Sequence, residues 1–392
     1  MTVSIEKINE YVAKQQQEVC AFIYDLNSLT EHVQSLLNPL PEAVQFYYAI
    51  KANSDEQVLR ALLPHVYGFE VASMGEIEKV RAVSETVPIA FGGPGKTITE
   101  LTAALAHNVT LYHLESQLQM QRLNWLAQEQ GKTVEVLLRV NPSFALPDAT
   151  LQMAGKATQF GIEQSELEGM LSELSRYPNL RVVGFHFHCI SNNLQENTQI
   201  KAIEKYITTA LQWQQQYDLE LSTVNVGGGI GVTYQEQQRP FDWSSYCEQL
   251  SALLKRFPEL NIAMECGRFV SAYCGVYLAE VTDVKRNHGE NFAVLRGGNH
   301  HFRLPSSWQH NHPFRVLARE EWPYPFTRPE LNDAPVTLCG ELCTPKDVLA
   351  KGVVVERLRA GDIIVFEKAG AYGWHISHHD FLSHPHPQRV YL

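Results

Sequence analysis

Basic residues are in deficit: 32 Lys and Arg stand against 43 Asp and Glu, a formal net charge of −11. A nucleic-acid binder needs a basic face, so no nucleic-acid partner is expected. Small anionic substrates stay open, because a local pocket can be basic inside an acidic protein. No apolar run approaches the ~20 residues of a membrane helix. Residues 1–18 are polar and periodic and lack a signal-peptide core. No membrane association is expected, and a cytoplasmic location is. Cysteine is sparse and scattered, at positions 20, 189, 247, 266, 274, 339 and 343, with no CxxC pair. That excludes a zinc ribbon and a disulfide framework and leaves free thiols. Charged residues make up only 19% against 44% hydrophobic, which excludes a disordered chain.

What is present fills more than one domain: 392 residues at ~150 per domain predict two or three. Short apolar runs alternate with amphipathic stretches through the first two-thirds. The strand-like runs are Phe46–Ile50, Tyr67–Val71, Ile89–Phe91, Leu111–His113, Val134–Val140, Val182–His188, Thr223–Val226 and Ile262–Glu265. Helical stretches between them include Ser73–Ser84, Glu115–Gln130, Gln199–Tyr217 and Trp243–Phe257. Ser54 to Gln57, Ser73 to Glu76 and Thr97 to Glu100 read as capping boxes. The alternation predicts an α/β fold, a (β/α)8 TIM-like barrel over 28–271, with a doubly wound sheet as the competing arrangement. After residue 272 the pattern turns to strands with Gly and Pro turns: Val276–Val284, Phe292–Leu295, Val336–Leu338, Val353–Val355 and Ile363–Phe366. A second, C-terminal all-β domain, sandwich- or barrel-like, is expected from 1–27 plus 272–392. Cys20–Tyr24 suits either domain.

In such a barrel chemistry sits at the C-terminal strand ends. There the sequence places Lys51, Glu70, Arg139, His186 with His188, Gly227-Gly228-Gly229, and Glu265 with Arg268. A lysine on an apolar strand end is partly desolvated, which lowers its pKa and frees the amine as a nucleophile; alone, such a lysine more often snorkels to water. A run of glycines after a strand exposes backbone amides to an anion, and phosphate suits it.

Three other features mislead. Residues 90–97 fit a relaxed Walker A pattern ending Gly95-Lys96-Thr97, but lie in one loop of an expected barrel rather than a doubly wound sheet. His375, His378, His379, His384 and His386 match no metal spacing and are interrupted by Pro385 and Pro387, so they read as a solvated tail and no metal is expected. His300, His301, His310 and His312, among Arg303 and Arg315, read either as a polar loop or as a cationic substrate pocket.

Taken in order, these segments resemble the fold-type III pyridoxal-phosphate decarboxylases, the ornithine/diaminopimelate/arginine decarboxylase group. The resemblance rests on FYYAIKAN, GFEVASMGEI, HFHCISNN, VNVGGGIG, ECGR, GELCTPKD and GAY, and covers nearly the whole chain. It implies the alanine-racemase/decarboxylase fold, pyridoxal 5'-phosphate as cofactor, and a homodimer with shared active sites. By resemblance Lys51 holds the cofactor through its amine and His188 stacks on the pyridine face. Ser191, Gly228, Gly229, Gly267, Arg268 and Tyr372 lie at the cofactor, several of them on its phosphate, with Glu70 and Arg139 nearby. Glu265 pairs with the pyridine nitrogen. Cys343, as proton donor, and Asp347 reach across from a second subunit. A carboxylate beside the ring nitrogen keeps it protonated and the ring a strong electron sink, which suits decarboxylation.

Some positions depart from the family pattern. Ile190 stands where a glycine is usual beside the histidine motif, and Cys266 where a proline is usual. The segment 296–316 lacks an acidic residue to grip a distal ammonium and offers Arg296, Arg303 and Arg315 with histidines. That suits a substrate with distal carboxylates, held by Arg303, His301, Arg315 and Asp347. HFHCISNN and GGNHHFRLP look most like a siderophore-biosynthesis branch acting on citryl-diaminopropionate-type conjugates. The alternatives are a diaminopimelate decarboxylase of lysine biosynthesis, another basic amino-acid or polyamine decarboxylase, and an inactive homologue that binds a partner protein.

Overall fold

A computed structural model describes residues 3–144, 151–152, 155, 157–235 and 237–392; the first two residues of the polar N-terminal stretch lie outside them. The chain divides into two units, Val33–Val232 with Arg239–Phe269, and Met1–His32 with Thr233–Gln238 and Val270–Leu392.

The first unit is a closed parallel barrel. Its strands are β1 (Val44–Ala49), β2 (Gly68–Val71), β3 (Ile89–Phe91), β4 (Leu111–Leu114), β5 (Val134–Asn141), β6 (Leu180–His186), β7 (Thr223–Asn225) and β8 (Asn261–Cys266). Each pairs with its neighbour in chain order, β8 returns to β1, and β4 with β5 completes the ring. All eight expected strands are present, and the doubly wound alternative falls because the sheet has no free edge. Tyr47, Ala90, Leu111, Leu137, Val183 and Ala263, from six of the strands, form one apolar cluster. Side chains alternate along a strand with period two, so the next residue on the same face of β8, β5 and β4 is Glu265, Arg139 and His113. The apolar layer and the polar layer are thus successive turns of one pattern.

Helix starts were read with mixed success. Thr97 and Glu100 form a full capping box around Ile98–Ala106. Ser73 caps Met74–Val83, but Glu76 reaches back to the N–H of Ala72 rather than of Ser73. Ser54 caps nothing: the helix Glu56–Leu62 starts after Asp55, and the Ser54 hydroxyl accepts from Lys79 Nζ at 2.8 Å.

The second unit is a mixed sheet. Phe314–Leu317, Ile363–Phe366, Gly275–Asn287, Glu290–Leu295, Glu330–Cys339 and Val348–Arg359 lie side by side in that order. Cys20–Tyr24, open in the sequence reading, belongs here: it pairs antiparallel with Gly275–Asn287 and parallel with Gln388–Tyr391. The unit is not strand alone. The helix Ile5–Ala13 buries Ile8 and Val12 in a cluster with Val276, Leu278, Ile363 and Val365. No helix among the described residues is long and apolar enough to cross a membrane.

Candidate active site

The polar strand ends of the barrel converge. Lys51 lies in a short 3-10 turn just past β1, and its Nζ is 2.7 Å from Glu70 Oε2 at the end of β2. The lysine side chain is 43% exposed and the glutamate 5%, so the amine is reachable while its partner is not. Burial pushes the Glu70 carboxyl up to about 7 against the opposing pull of Lys51. Gly92, after β3, leaves the space: a Cβ there would stand 3.2 Å from Glu70 Oε1.

Glu265, at the end of β8, is buried on the same face. Its Oε1 accepts from Asn225 Nδ2 at 2.7 Å and lies 3.4 Å from His113 Nδ1; its Oε2 lies 3.4 Å from His186 Nε2. Burial works to raise this carboxyl, but the two imidazoles hold it well below the ordinary carboxylate range. Arg139, from β5, donates to Glu115 Oε1 at 2.8 Å, and Glu115 Oε2 accepts the Gly161 N–H at 2.9 Å. This buried ion pair is closed on itself.

His188 sits between these groups and the glycine turn. Its Nδ1 accepts the Gly228 N–H at 3.2 Å, so its Nε2 carries the proton in the neutral ring. Burial, with Arg139 and Lys51 nearby, pushes His188 down to about 3, and the ring is uncharged at neutral pH. Gly227 and Gly229 have φ of +66° and +86°. A Cβ on Gly228 would stand 2.0 Å from the Glu265 carbonyl oxygen, so only glycine lets the turn lie against β8. The turn is a smaller anion nest than the sequence suggested. The Gly227 N–H goes to Asn225 Oδ1 at 2.8 Å and that of Gly228 to His188, which leaves the Gly229 N–H unpaired among the described residues. Arg268, just beyond Gly267, places Nη1 3.4 Å from Asn192 Oδ1, beside Ser191.

Asn225, His113 and Glu115 escaped the sequence reading. Two of them had a signal: His113 follows Leu111, and Asn225 follows Thr223, by one period on an inward face. Lys96 of the Walker-like stretch is buried and donates to the carbonyls of Gly93 and His113 at 2.6 and 2.7 Å. It braces a barrel loop, and Thr97 is a helix cap, so neither residue is placed for a nucleotide.

The second unit carries the expected substrate residues and Cys343. Asp347 is buried, with Oδ1 accepting from the Asn299 N–H at 2.7 Å and Oδ2 from the Leu342 N–H at 2.9 Å. It clamps the Gly297–Asn299 turn to the segment bearing the exposed Cys343 thiol. Arg315 lies within the strand Phe314–Leu317, with Nε 3.9 Å from Glu367 and Nη2 3.5 Å from the Val3 carbonyl. His301 is fully buried, shares hydrogen bonds of 3.4 Å with Cys20 and Tyr277, and is pushed down to about 2 by burial, His300 and Arg296. It supplies no positive charge. Arg296 is paired with Glu341, which His384 also approaches at 3.5 Å. The cationic pocket therefore contracts to Arg303, whose exposed guanidinium makes no hydrogen bond or ion pair among the described residues. Tyr372 lies in the same unit with φ of +53°. The histidine tail is solvated in part: His378 and His386 are exposed, His386 bonding Asp380 at 2.7 Å, while His379 is half-buried and stacks on Trp374 at 3.6 Å between centroids.

The donor set of the barrel suits pyridoxal phosphate. It combines a reachable amine, a buried carboxylate held as an anion, a neutral imidazole, a glycine turn whose Gly229 N–H is unpaired among the described residues, and an arginine at Asn192.

Comparison with known proteins agrees. Residues 26–272 match the profile described as pyridoxal-dependent decarboxylase, pyridoxal binding domain. The chain is 44% identical over 390 residues to the 2-[(L-alanin-3-ylcarbamoyl)methyl]-2-hydroxybutanedioate decarboxylase of Staphylococcus aureus, covering 99% of this chain and 98% of the relative. It is 30% identical to the L-glutamyl-[BtrI acyl-carrier protein] decarboxylase of Niallia circulans, covering 94% and 87%. Among solved structures, diaminopimelate decarboxylase from Helicobacter pylori in complex with L-lysine superposes with a TM-score of 0.85 at 25% identity, covering 98% and 94%.

Proposed function

This chain belongs to the pyridoxal-dependent decarboxylases, and from that premise we propose that it removes the α-carboxylate of an amino acid carrying further carboxylates, a citryl-diaminopropionate-type precursor of a polycarboxylate siderophore. The observation that carries this reading is the 44% identity, sustained over 99% of the chain, to a decarboxylase with such a substrate. The name of that substrate describes an alanine joined at C3, through an amide, to a hydroxy-dicarboxylate. Its far end bears two carboxylates and no ammonium. Arg303 fits that far end, being an exposed guanidinium that makes no hydrogen bond or ion pair among the described residues. The diaminopimelate decarboxylases are less similar, for example 26% identical over 358 residues for that of Bacteroides thetaiotaomicron, and their reading is the less favoured.

Bound pyridoxal phosphate supplies an electron sink for the pair left when the carboxylate departs. The residues of the chain do the rest. Lys51 offers the amine that tethers the cofactor, and Glu70 beside it receives or returns a proton at Nζ. Glu265 presents an anion to the ring nitrogen. His188, neutral and fixed by the Gly228 N–H, offers a flat uncharged face. The Gly229 N–H and Arg268 take the phosphate, joined by Ser191, Gly267 and Tyr372. Cys343, exposed on a loop that Asp347 holds, delivers the proton to the carbon that lost carbon dioxide. The protein acts as a homodimer in the cytoplasm, with the proton supplied by the partner subunit's Cys343.

The test is carbon dioxide release by cofactor-loaded protein from ornithine, lysine, arginine, meso-diaminopimelate, carboxynorspermidine and citryl-diaminopropionate. Release from the citryl conjugate alone is expected. Preferred release from diaminopimelate would make this a lysine-biosynthetic enzyme.

A further inference from the structure

The carboxylate of Glu265 is served by more groups than an ion pair to a cofactor requires. His113 and His186 flank it, 0% and 4% exposed, each with a ring nitrogen 3.4 Å from a different carboxylate oxygen. Their rings lie 4.3 Å apart between centroids. Ligand atoms of His113, His186 and Glu265 fall within 4.8 Å of one another, a spacing that a metal ion could also use. The hydrogen bonds of Asn225 decide between the two uses. The Gly227 N–H donates to Asn225 Oδ1 at 2.8 Å, which fixes which end of the amide is oxygen. Asn225 Nδ2 must then face Glu265 Oε1, at 2.7 Å, and His113 Nε2, at 3.4 Å. An amide nitrogen only donates, so His113 Nε2 accepts, and the ring proton of the neutral imidazole sits on Nδ1. The nitrogen nearest Glu265 Oε1, at 3.4 Å, is then the protonated one, and in that tautomer it has no lone pair for a metal.

We infer that His113 and His186 are positioning residues for Glu265: each sets a buried ring nitrogen 3.4 Å from a different carboxylate oxygen, so that the carboxylate stays ionised and aimed at the pyridine nitrogen of the cofactor. The chain of fixation runs from the glycine turn through Asn225 to His113 and Glu265, and couples the phosphate end of the cofactor site to its ring-nitrogen end. Without these imidazoles a carboxylate this deep would take up a proton, because burial disfavours its charge. It could then no longer hold a proton on the ring. The inference rests on the reading of the barrel as a pyridoxal-phosphate site.

The experiment loads wild type and variants with pyridoxal phosphate labelled with 15N in the ring and reads ring-nitrogen protonation by NMR, together with cofactor affinity. His113→Gln and His186→Gln keep an N–H donor; His113→Leu and His186→Leu remove it. In wild type and the glutamine variants the ring nitrogen should be protonated. In the leucine variants it should lose its proton, with cofactor affinity falling about tenfold, the equivalent of one charge-assisted hydrogen bond. His113→Phe and His186→Phe, which fill the same space without a donor, replace any leucine variant that does not fold. A leucine or phenylalanine variant with the ring nitrogen still protonated and wild-type affinity overturns the inference. So does equal loss in the glutamine and leucine variants, which would make the contact steric. Wild type that takes up no cofactor would overturn the underlying reading as well, and wild type that binds it with an unprotonated ring nitrogen would overturn the inference alone.

Discussion

Asn225 offers the sharpest test of how the barrel site is built. Its side chain is fully buried and bridges two groups: it accepts from the Gly227 N–H and donates to the Glu265 carboxylate. Asn225→Ala strands the N–H, at roughly 1–3 kcal/mol, and removes a bond to a charged acceptor, at roughly 1.5–3 kcal/mol. The sum is about 2.5–6 kcal/mol, or on the order of 10 °C in Tm for a unit of this size. Asn225→Asp separates the two roles. Its oxygen still accepts from Gly227, but a second carboxylate now faces Glu265, and two carboxylates this close cannot both ionise. The pair binds an extra proton in the folded state, so the variant is most stable at low pH and loses stability as pH rises past the ordinary carboxylate range. Differential scanning fluorimetry of the cofactor-free protein from pH 4 to pH 8 reads both effects. Asn225→Ala should be low at every pH, and Asn225→Asp should fall progressively as pH rises. An alanine variant within about 1 kcal/mol of wild type, or two variants with parallel pH profiles, would refute the bridging role.

Three further outcomes follow from the same geometry. Arg303→Ala should raise KM for a substrate with distal carboxylates while leaving kcat close to wild type, since the contact is made equally in ground and transition states; steady-state kinetics showing an unchanged KM removes Arg303 from the substrate site. Cys343→Ala should keep cofactor absorbance and lose ~10²–10⁴-fold in turnover; wild-type turnover would move the proton donor elsewhere. His188, His301 and His312 are pushed down to about 3, 2 and 3 by burial, whereas the same residues in the unfolded chain titrate near 6.5. Between those values the unfolded state binds more protons, so stability is full above about pH 6.5 and declines as pH falls toward 3. The Tm of the cofactor-free protein should already drop between pH 6.5 and 5, before most carboxylates titrate, and a flat Tm over that interval contradicts the burial of neutral imidazoles.

The barrel was legible in the sequence because its signal is local. Each strand is a short apolar run, and the polar residue that ends it, Lys51, Glu70, Arg139 or Glu265, marks the point where the apolar interior gives way to the site. Residues that act through a partner on another strand left a weaker trace. His113 and Asn225 sit where period-two alternation puts them, but their meaning lies in Glu265, 152 and 40 positions away along the chain. Ser54 misled because its pattern fits a cap, while the fold uses its hydroxyl for Lys79 from a neighbouring helix.

The substrate side was read less well, and for an electrostatic reason. A segment rich in arginine and histidine looks cationic only while its partners are unknown. Glu341 lies beyond that segment in sequence, yet it neutralises Arg296 and is approached by His300 and His384. Glu367 does the same for Arg315. Burial keeps His301 neutral. A count of basic residues measures charge before pairing, whereas a substrate meets charge after pairing, and among the described residues Arg303 is the one proposed cation with no ion pair. Asp347 teaches the converse. Expected as a substrate ligand, its carboxylate accepts from two backbone N–H groups that hold the segment bearing Cys343. Asp347→Asn would turn one accepting oxygen into an N–H that faces another N–H, which disorders the Cys343 loop. The rate of Cys343 alkylation should therefore change along with kcat, whereas a substrate ligand lost at this position would change KM and leave thiol reactivity as it was.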